Sequence, residues 1–176
     1  MSRQAAGGVL SRRQAITFAA QCRADGRCLV VTNGCFDLIH AGHVAYLTAA
    51  RALGDALLVG LNADATVRTL KGPGRPLTGQ ADRAAVLLAL RSVDAVVIFE
   101  EPTAGPLLEE LRPPIYAKGG DYAAVIGGHG IPLPEEPVVR GYGGVIHLLP
   151  YLDGCSTSAL IERIRRGRAA EGGSPD

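Results

Sequence analysis

A chain of 176 residues holds one α/β domain with a proper core and is short for two. Apolar residues make up 47% and charged residues 20%, a globular balance and not a disordered one, and the formal net charge is only +1. That near-neutrality, with no basic stripe, argues against a nucleic-acid partner. No apolar run approaches the ~18 residues of a membrane span, and no cationic-then-apolar leader opens the chain, which argues against the membrane. The four cysteines, Cys22, Cys28, Cys35 and Cys155, form neither a C-x-x-C pair nor a metal-ligand spacing, so reduced thiols in the cytoplasm are expected.

In chain order, residues 1–10 are small and polar and read as a flexible N-terminus, with one domain expected over 11–168 and a flexible tail over 169–176. Ser11 followed by Gln14 is a capping-box pattern opening a helix through Ile16, Phe18, Ala19 and Cys22 that stops at Asp25-Gly26. Cys28 to Thr32 is a buried, β-branched strand, and a helix from about Gly42 to Leu53 follows the loop Asn33 to Asp37. Strands are predicted at Ala56–Leu61, Ala95–Phe99, Ile115–Ala117 and Val145–Leu149. Helices are predicted at Ala81–Leu90 and near Ala104–Leu111, with a last one from about Ser156 to Arg166; a Gly/Pro-rich stretch covers Gly127 to Gly144. The cations Arg163, Arg165, Arg166 and Arg168 suit the C-terminal end of that last helix. Alternating buried strands and helices predict a single-domain, Rossmann-like parallel sheet flanked by helices on both faces. Ligands of such sheets bind beyond the C-terminal ends of the strands.

The segment Thr32 to His43, T-N-G-C-F-D-L-I-H-A-G-H, leaves a strand, passes a tight glycine and delivers two histidines where a helix begins. A helix N-terminus offers unpaired N–H groups and a positive dipole end to phosphate. His40 and His43 can both face the same anion there, as donors to the charge that grows at an attacked phosphorus. Gly42 between them leaves room for a triphosphate close to backbone. A lone histidine at a helix start is more often a cap, and H-x-x-H without a third ligand is weak for zinc. The preceding strand, glycine and F-D favour catalysis.

These residues resemble the cytidylyltransferase-like superfamily of nucleotidyltransferases, whose second hallmark, a Ser/Thr motif opening the last helix, stands here as Gly154-Cys155-Ser156-Thr157-Ser158. Within it, the chain is most similar to the adenylyltransferases acting on D-glycero-D-manno-heptose 1-phosphate. Further shared strings are Gly60-Leu61-Asn62-Ala63-Asp64, Leu70-Lys71-Gly72 with Arg75-Pro76, Ala81-Asp82-Arg83, and Lys118-Gly119-Gly120-Asp121-Tyr122, so the resemblance runs from about Leu29 to Ile164.

The resemblance implies AMP transfer from ATP to a sugar 1-phosphate with loss of pyrophosphate. His40 and His43 would meet the α-phosphate, and Asn33, Gly34, Cys35, Phe36 and Gly42 would lie along the nucleotide. Ser156, Thr157 and Ser158 would hold the outer phosphates, with ordinary N-capping as the bland alternative. Lys71, in a loop expected over Leu70–Thr78, would close over the substrates with Arg75. Asn62 and Asp64 suit ribose or sugar hydroxyls, or simply the start of a turn, and Lys118, Gly120 and Asp121 suit the sugar phosphate and its hydroxyls. Arg83 reads equally as a phosphate ligand or a surface helix residue. Mg²⁺ is expected on the NTP phosphates, with few protein ligands; Asp37 is the nearest carboxylate, equally suited to capping the loop. A homodimer is implied at family level. The kinase half of the bifunctional relatives is not in this sequence, so another protein is expected to make the phosphorylated acceptor. Two departures fall where the sugar would sit: Ala123-Ala124-Val125-Ile126 lacks the usual acidic residue, and Gly127–Pro134 is longer than usual. A related transferase with another base or acceptor, such as a glycerol 3-phosphate cytidylyltransferase, and a non-catalytic nucleotide-binding module are the competing readings.

Overall fold

The computed structural model describes residues 8–119, 133–150, 157, 160–164 and 166. Its first helix, α1 (Arg12–Ala24), starts as its sequence dictates: the Gln14 amide donates to Ser11 Oγ at 3.4 Å, and the Ser11 amide donates to Gln14 Oε1 at 2.8 Å. The helix buries Ala15, Ala19 and Cys22, one stripe at helical spacing. It ends at Asp25, and Gly26 takes the left-handed conformation (φ 67°) that turns the chain away.

Six strands follow the order β1-β4-β3-β2-β5-β6, every neighbouring pair parallel. They are β1 (Val9–Leu10), β2 (Leu29–Gly34), β3 (Ala56–Asn62), β4 (Ala95–Phe99), β5 (Ile115–Gly119) and β6 (Val145–Leu149). The side chains alternate between two cores. Val31, Leu58, Val97 and Tyr116 face α1, α5 (Gly105–Leu111) and Val139 of α6 (Glu136–Gly141). Val30, Leu57, Val59 and Val96 face α2 (Ala41–Arg51) and α4 (Gln80–Ala89). Strand β3 is buried along its whole length, as a strand covered on both faces must be. Chain order runs outward from β2 to β3 and β4 on one side and to β5 and β6 on the other. The switch point therefore lies between β2 and β5, beside the loop that carries the histidines.

Three elements differ from the sequence reading. Val9 and Leu10, expected in a frayed N-terminus, pair with Val96 and Val97, a strand too short for any periodicity to signal. The turn expected at Asn62–Asp64 opens instead into a helix, α3 (Asp64–Lys71), which ends at Gly72 (φ 98°) and carries Leu70 and Lys71 in its last turn. Only Thr66 and Val67 of α3 are buried, too little to write a stripe. Inside the Gly/Pro-rich stretch, Glu136–Gly141 is helical, with Pro137 in the first turn, where its missing N–H costs nothing. Residues 157, 160–164 and 166 are helical, within the last helix expected from Ser156. No helix among the described residues is long and apolar enough to cross a membrane.

Candidate active site

Strand β2 ends on Asn33 and Gly34, and a methyl group on Gly34 would stand 3.0 Å from the Phe36 ring. Glycine is thus required for this close approach, and Phe36 itself adopts φ 45°, a conformation unusual outside glycine. That bend places the Phe36 ring 5.3 Å from the His43 ring, centroid to centroid. The chain enters α2 through His40 in an extended conformation, and the His40 side chain makes no capping bond. His40 and His43 instead lie against each other, ring centroids 3.9 Å apart and planes tilted by 32°. The Nδ1 atoms of both are buried without a hydrogen-bond partner. Burial, and then the neighbouring His40, push the His43 pKa down to about 4, and burial lowers that of His40. A pair of neutral imidazoles is the result at neutral pH.

A cavity of about 850 Å³ opens over the C-terminal ends of the strands. Asn33, Gly34, Cys35, Phe36, Asp37 and His43 line it, with Asn62 from β3, Lys71 from the end of α3, Arg75 from the connection between α3 and α4, and Lys118 from β5. Across the switch point, Lys118 Nζ donates to Asn33 Oδ1 at 2.8 Å and to the Tyr116 hydroxyl at 3.2 Å, and that hydroxyl donates to the same Asn33 oxygen at 2.6 Å. Burial pulls the Lys118 pKa below its ordinary value, against the attraction of Glu135 and Cys35. Burial raises the Cys35 thiol although Lys71, Arg83 and Arg75 pull it the other way, so it is a protonated thiol and a poor nucleophile. Tyr46 of α2 shares a 2.6 Å hydrogen bond with Thr32 Oγ1 and donates to the Ala117 carbonyl, fixing α2 against both strands of the switch point.

Two charged clasps hold the loops. Asp37 Oδ1 accepts from the amides of Leu77 (2.7 Å) and Thr78 (3.1 Å), and its Oδ2 forms a 2.6 Å ion pair with Arg75 Nε that lacks hydrogen-bond alignment. The connection between α3 and α4 is therefore pinned to the phosphate-type loop. Arg83 is only 1% exposed and donates to the carbonyls of Cys35, Asn62 (2.9 Å) and Thr78 (3.0 Å) and to Asp64 Oδ1 (2.7 Å). It is neither a surface residue nor a residue of the cavity wall: its donors are spent on the protein, and Asp64 is its counter-ion. The hydrogen bond from Arg83 helps hold the Asp64 carboxyl below the usual carboxylate range, against the opposing effect of burial.

Of the residues singled out in the sequence, Asn33, Gly34, Cys35, Phe36, Asp37, His43, Asn62, Lys71, Arg75, Lys118 and Thr157 come together on the cavity wall. His40 touches that wall through His43, and Gly42 is buried beneath it in the first turn of α2. Asp64 and Arg83 stand off the cavity. Ser156, Ser158, Gly120 and Asp121 lie outside the described residues. Thr157 Oγ1 donates to the Leu38 carbonyl at 3.4 Å, which brings the second motif against the loop of the first. The sequence reading missed Tyr46, Tyr116, Thr103 and Glu135. The tyrosines resemble ordinary core aromatics in sequence, and Glu135 sits in a Pro/Glu run that carries no pattern.

A parallel sheet whose switch point carries a paired-histidine helix start, under a cavity reached by Lys71, Arg75 and Lys118, defines a nucleotidyltransferase. The chain belongs to the cytidylyltransferase-like family, whose model matches residues 31–163. It is 53% identical over 149 residues to the bifunctional protein HldE of Streptomyces coelicolor, covering 85% of this chain and 31% of that protein. It is 52% identical over 148 residues to that of Geotalea uraniireducens, covering 83% and 29%. The chain thus spans about a third of the length of these relatives. Among solved structures, it is similar to a lipopolysaccharide core biosynthesis protein from Thermoplasma volcanium GSS1, with TM-score 0.56 and 26% identity over 72% of this chain and 98% of that one. A pantoate-beta-alanine ligase from Francisella tularensis shares the fold at TM-score 0.57 and 14% identity, over 90% of this chain and 80% of that one.

Proposed function

We propose that the chain transfers AMP from ATP to D-glycero-D-manno-heptose 1-phosphate, giving ADP-heptose and pyrophosphate. The observation that carries the reading is the stacked His40–His43 pair at the start of α2, under a cavity lined by Lys71, Arg75 and Lys118. The acceptor rests on the strings shared with heptose 1-phosphate adenylyltransferases and on the HldE relatives.

In this reading an oxygen of the sugar phosphate attacks the α-phosphorus of ATP in line with the bond to departing pyrophosphate. Both partners are anions, so holding them in line and screening their charge supplies most of the acceleration. The imidazoles donate neutral N–H groups to the α-phosphate oxygens and strengthen as charge grows there. Lys71 and Arg75 bring positive charge from one wall and Lys118 from the other. The protonated Cys35 takes no covalent part. The Leu77 and Thr78 segment is tied to Asp37, and closing of the connection between α3 and α4 over the substrates would exclude water, the competing nucleophile.

Mg²⁺ supplies further charge neutralisation when it enters on the triphosphate. Among the described residues no three His, Cys, Asp or Glu side chains converge as a metal cage. Both Asp37 oxygens are engaged by the Leu77 and Thr78 amides and by Arg75. That donor set fits an ion held by phosphate oxygens, with few protein ligands.

The test is pyrophosphate release with Mg²⁺ and each of the four NTPs, offered heptose 1-phosphate of either anomer or glycerol 3-phosphate. ATP with a heptose 1-phosphate is expected to turn over, and His43→Ala to lower kcat by about 10²–10³-fold. Turnover confined to CTP or to glycerol 3-phosphate would replace the substrates, and none from folded, nucleotide-binding protein would remove the reading.

A further inference from the structure

Glu135 is not explained by charge transfer. It precedes α6, on the connection from β5 to β6, and is 3% exposed. Its Oε1 accepts from the Ala104 amide at 3.1 Å, tying this connection to the start of α5. Its Oε2 is buried with no hydrogen-bond partner. The residue nevertheless lines the main cavity, as do Thr103 and Asn62. Lys118 is near enough to feel its charge but directs its hydrogen bonds to Asn33 and Tyr116.

A buried carboxylate oxygen without a donor is costly, and capping the Ala104 amide needs only the other oxygen. The unfilled acceptor therefore belongs to something that enters the cavity. A phosphate is excluded by charge, since two anions in a desolvated wall repel. A carboxylate accepts and never donates, so its partner must be a donor, and the donors on an NTP-plus-sugar-phosphate pair are hydroxyls and the base amine. Thr103 and Asn62 line the same cavity and add donor and acceptor groups suited to hydroxyls.

We propose that Glu135, through Oε2, accepts a hydrogen bond from a substrate hydroxyl and reads the polyol part of the sugar phosphate. The proposal rests on the transferase reading above and adds a specificity-determining residue to it. A ribose hydroxyl offers the same chemistry as a sugar hydroxyl, and the experiment separates the two.

Steady-state kinetics of the full chain and of Glu135→Gln are measured with ATP, 2′-deoxy-ATP and 3′-deoxy-ATP, and with the sugar 1-phosphate and its monodeoxy analogues. Glutamine keeps the size and a carbonyl for the Ala104 amide. The expected result is a rise of about 10–100-fold in KM for the sugar phosphate, KM for ATP unchanged and kcat within a few-fold. One monodeoxy analogue is expected to lose as much with the wild type, and to lose nothing further with the variant. Merely structural damage would not produce that non-additivity. The same pattern with a deoxy-ATP would keep the hydroxyl contact and move it to the ribose. Unchanged KM values for both substrates overturn the proposal, as does a rise only in the Mg²⁺ needed for half-maximal rate, which would make the carboxylate a metal ligand. If Glu135→Gln does not fold, the deoxy series on the wild type decides alone, and equal KM values across it overturn the proposal. Failure of the transferase reading is separately visible as absence of wild-type turnover with every sugar phosphate. The comparison is then run with whichever hydroxylated acceptor does turn over.

Discussion

At the scale of single residues, the histidine pair is neutral at neutral pH. His43 is held at a pKa of about 4, against 6.5 ordinarily, by burial and by His40. Between those two values the unfolded chain binds a proton that the folded chain refuses, so folding weakens as pH falls through that window and is unaffected above it. Urea midpoints are expected to drop from pH 7 to pH 5 in the wild type, and to drop less in His43→Gln; equal drops would mean that His43 titrates normally. The identity of the pair was legible in the sequence because strand, glycine and H-A-G-H form a local pattern. Its electrostatics were not, because they depend on burial and on ring contacts, such as Phe36 against His43, that form only through the positive φ at Phe36. Arg83 makes the same point: a helix arginine four residues after Gly79 gives no sign in sequence that carbonyls from two distant segments, at Cys35 and Asn62, will join that of nearby Thr78 around it.

At the scale of elements, the connection between α3 and α4 was expected as a lid over the substrates, and the sequence carried its Gly/Pro content plainly. The clasp was hidden, since it joins Asp37 to amides forty residues away, and amides have no sequence identity. With Asp37→Ala, the Leu77 and Thr78 amides lose their acceptor and Arg75 its counter-ion. Their hydrogen exchange is expected to accelerate by about tenfold or more, while β3 amides such as Leu58 keep their rates. Unchanged exchange at Leu77 and Thr78 would show that the Arg83 bond to the Thr78 carbonyl holds the segment unaided. The long strands and amphipathic helices were readable from periodicity. The two-residue β1 and the weakly buried α3 and α6 were not, because elements that bury one or two side chains write no period.

At the scale of the whole molecule, the sheet divides the interior into two cores that share no side chains. Leu47 of α2 lies in one and Leu107 of α5 in the other, both fully buried. Leu47→Ala and Leu107→Ala are each expected to cost about 2–5 kcal/mol in urea unfolding. Together their costs should add within ~0.5 kcal/mol, because residues without common partners do not couple; a larger deviation would mean that the sheet transmits strain between its faces. The fold class was the most legible feature of all, since alternation of buried strands and helices leaves a parallel sheet as nearly the sole arrangement. The part of the cavity lined by Asn62, Thr103, Lys118 and Glu135 was the least legible, because it is assembled from the ends of β3 and β5, the connection after β4 and the approach to α6.

The anchoring by Arg83 also bears on how this site can evolve. Three of its four acceptors are main-chain carbonyls, at residues 35, 62 and 78, and every amino acid presents one. Cys35 and Asn62 meanwhile turn their side chains to the cavity. The scaffold thus separates inheritance of shape from inheritance of recognition: substitutions at those positions can change what faces the cavity while the arginine goes on holding the same backbone curve.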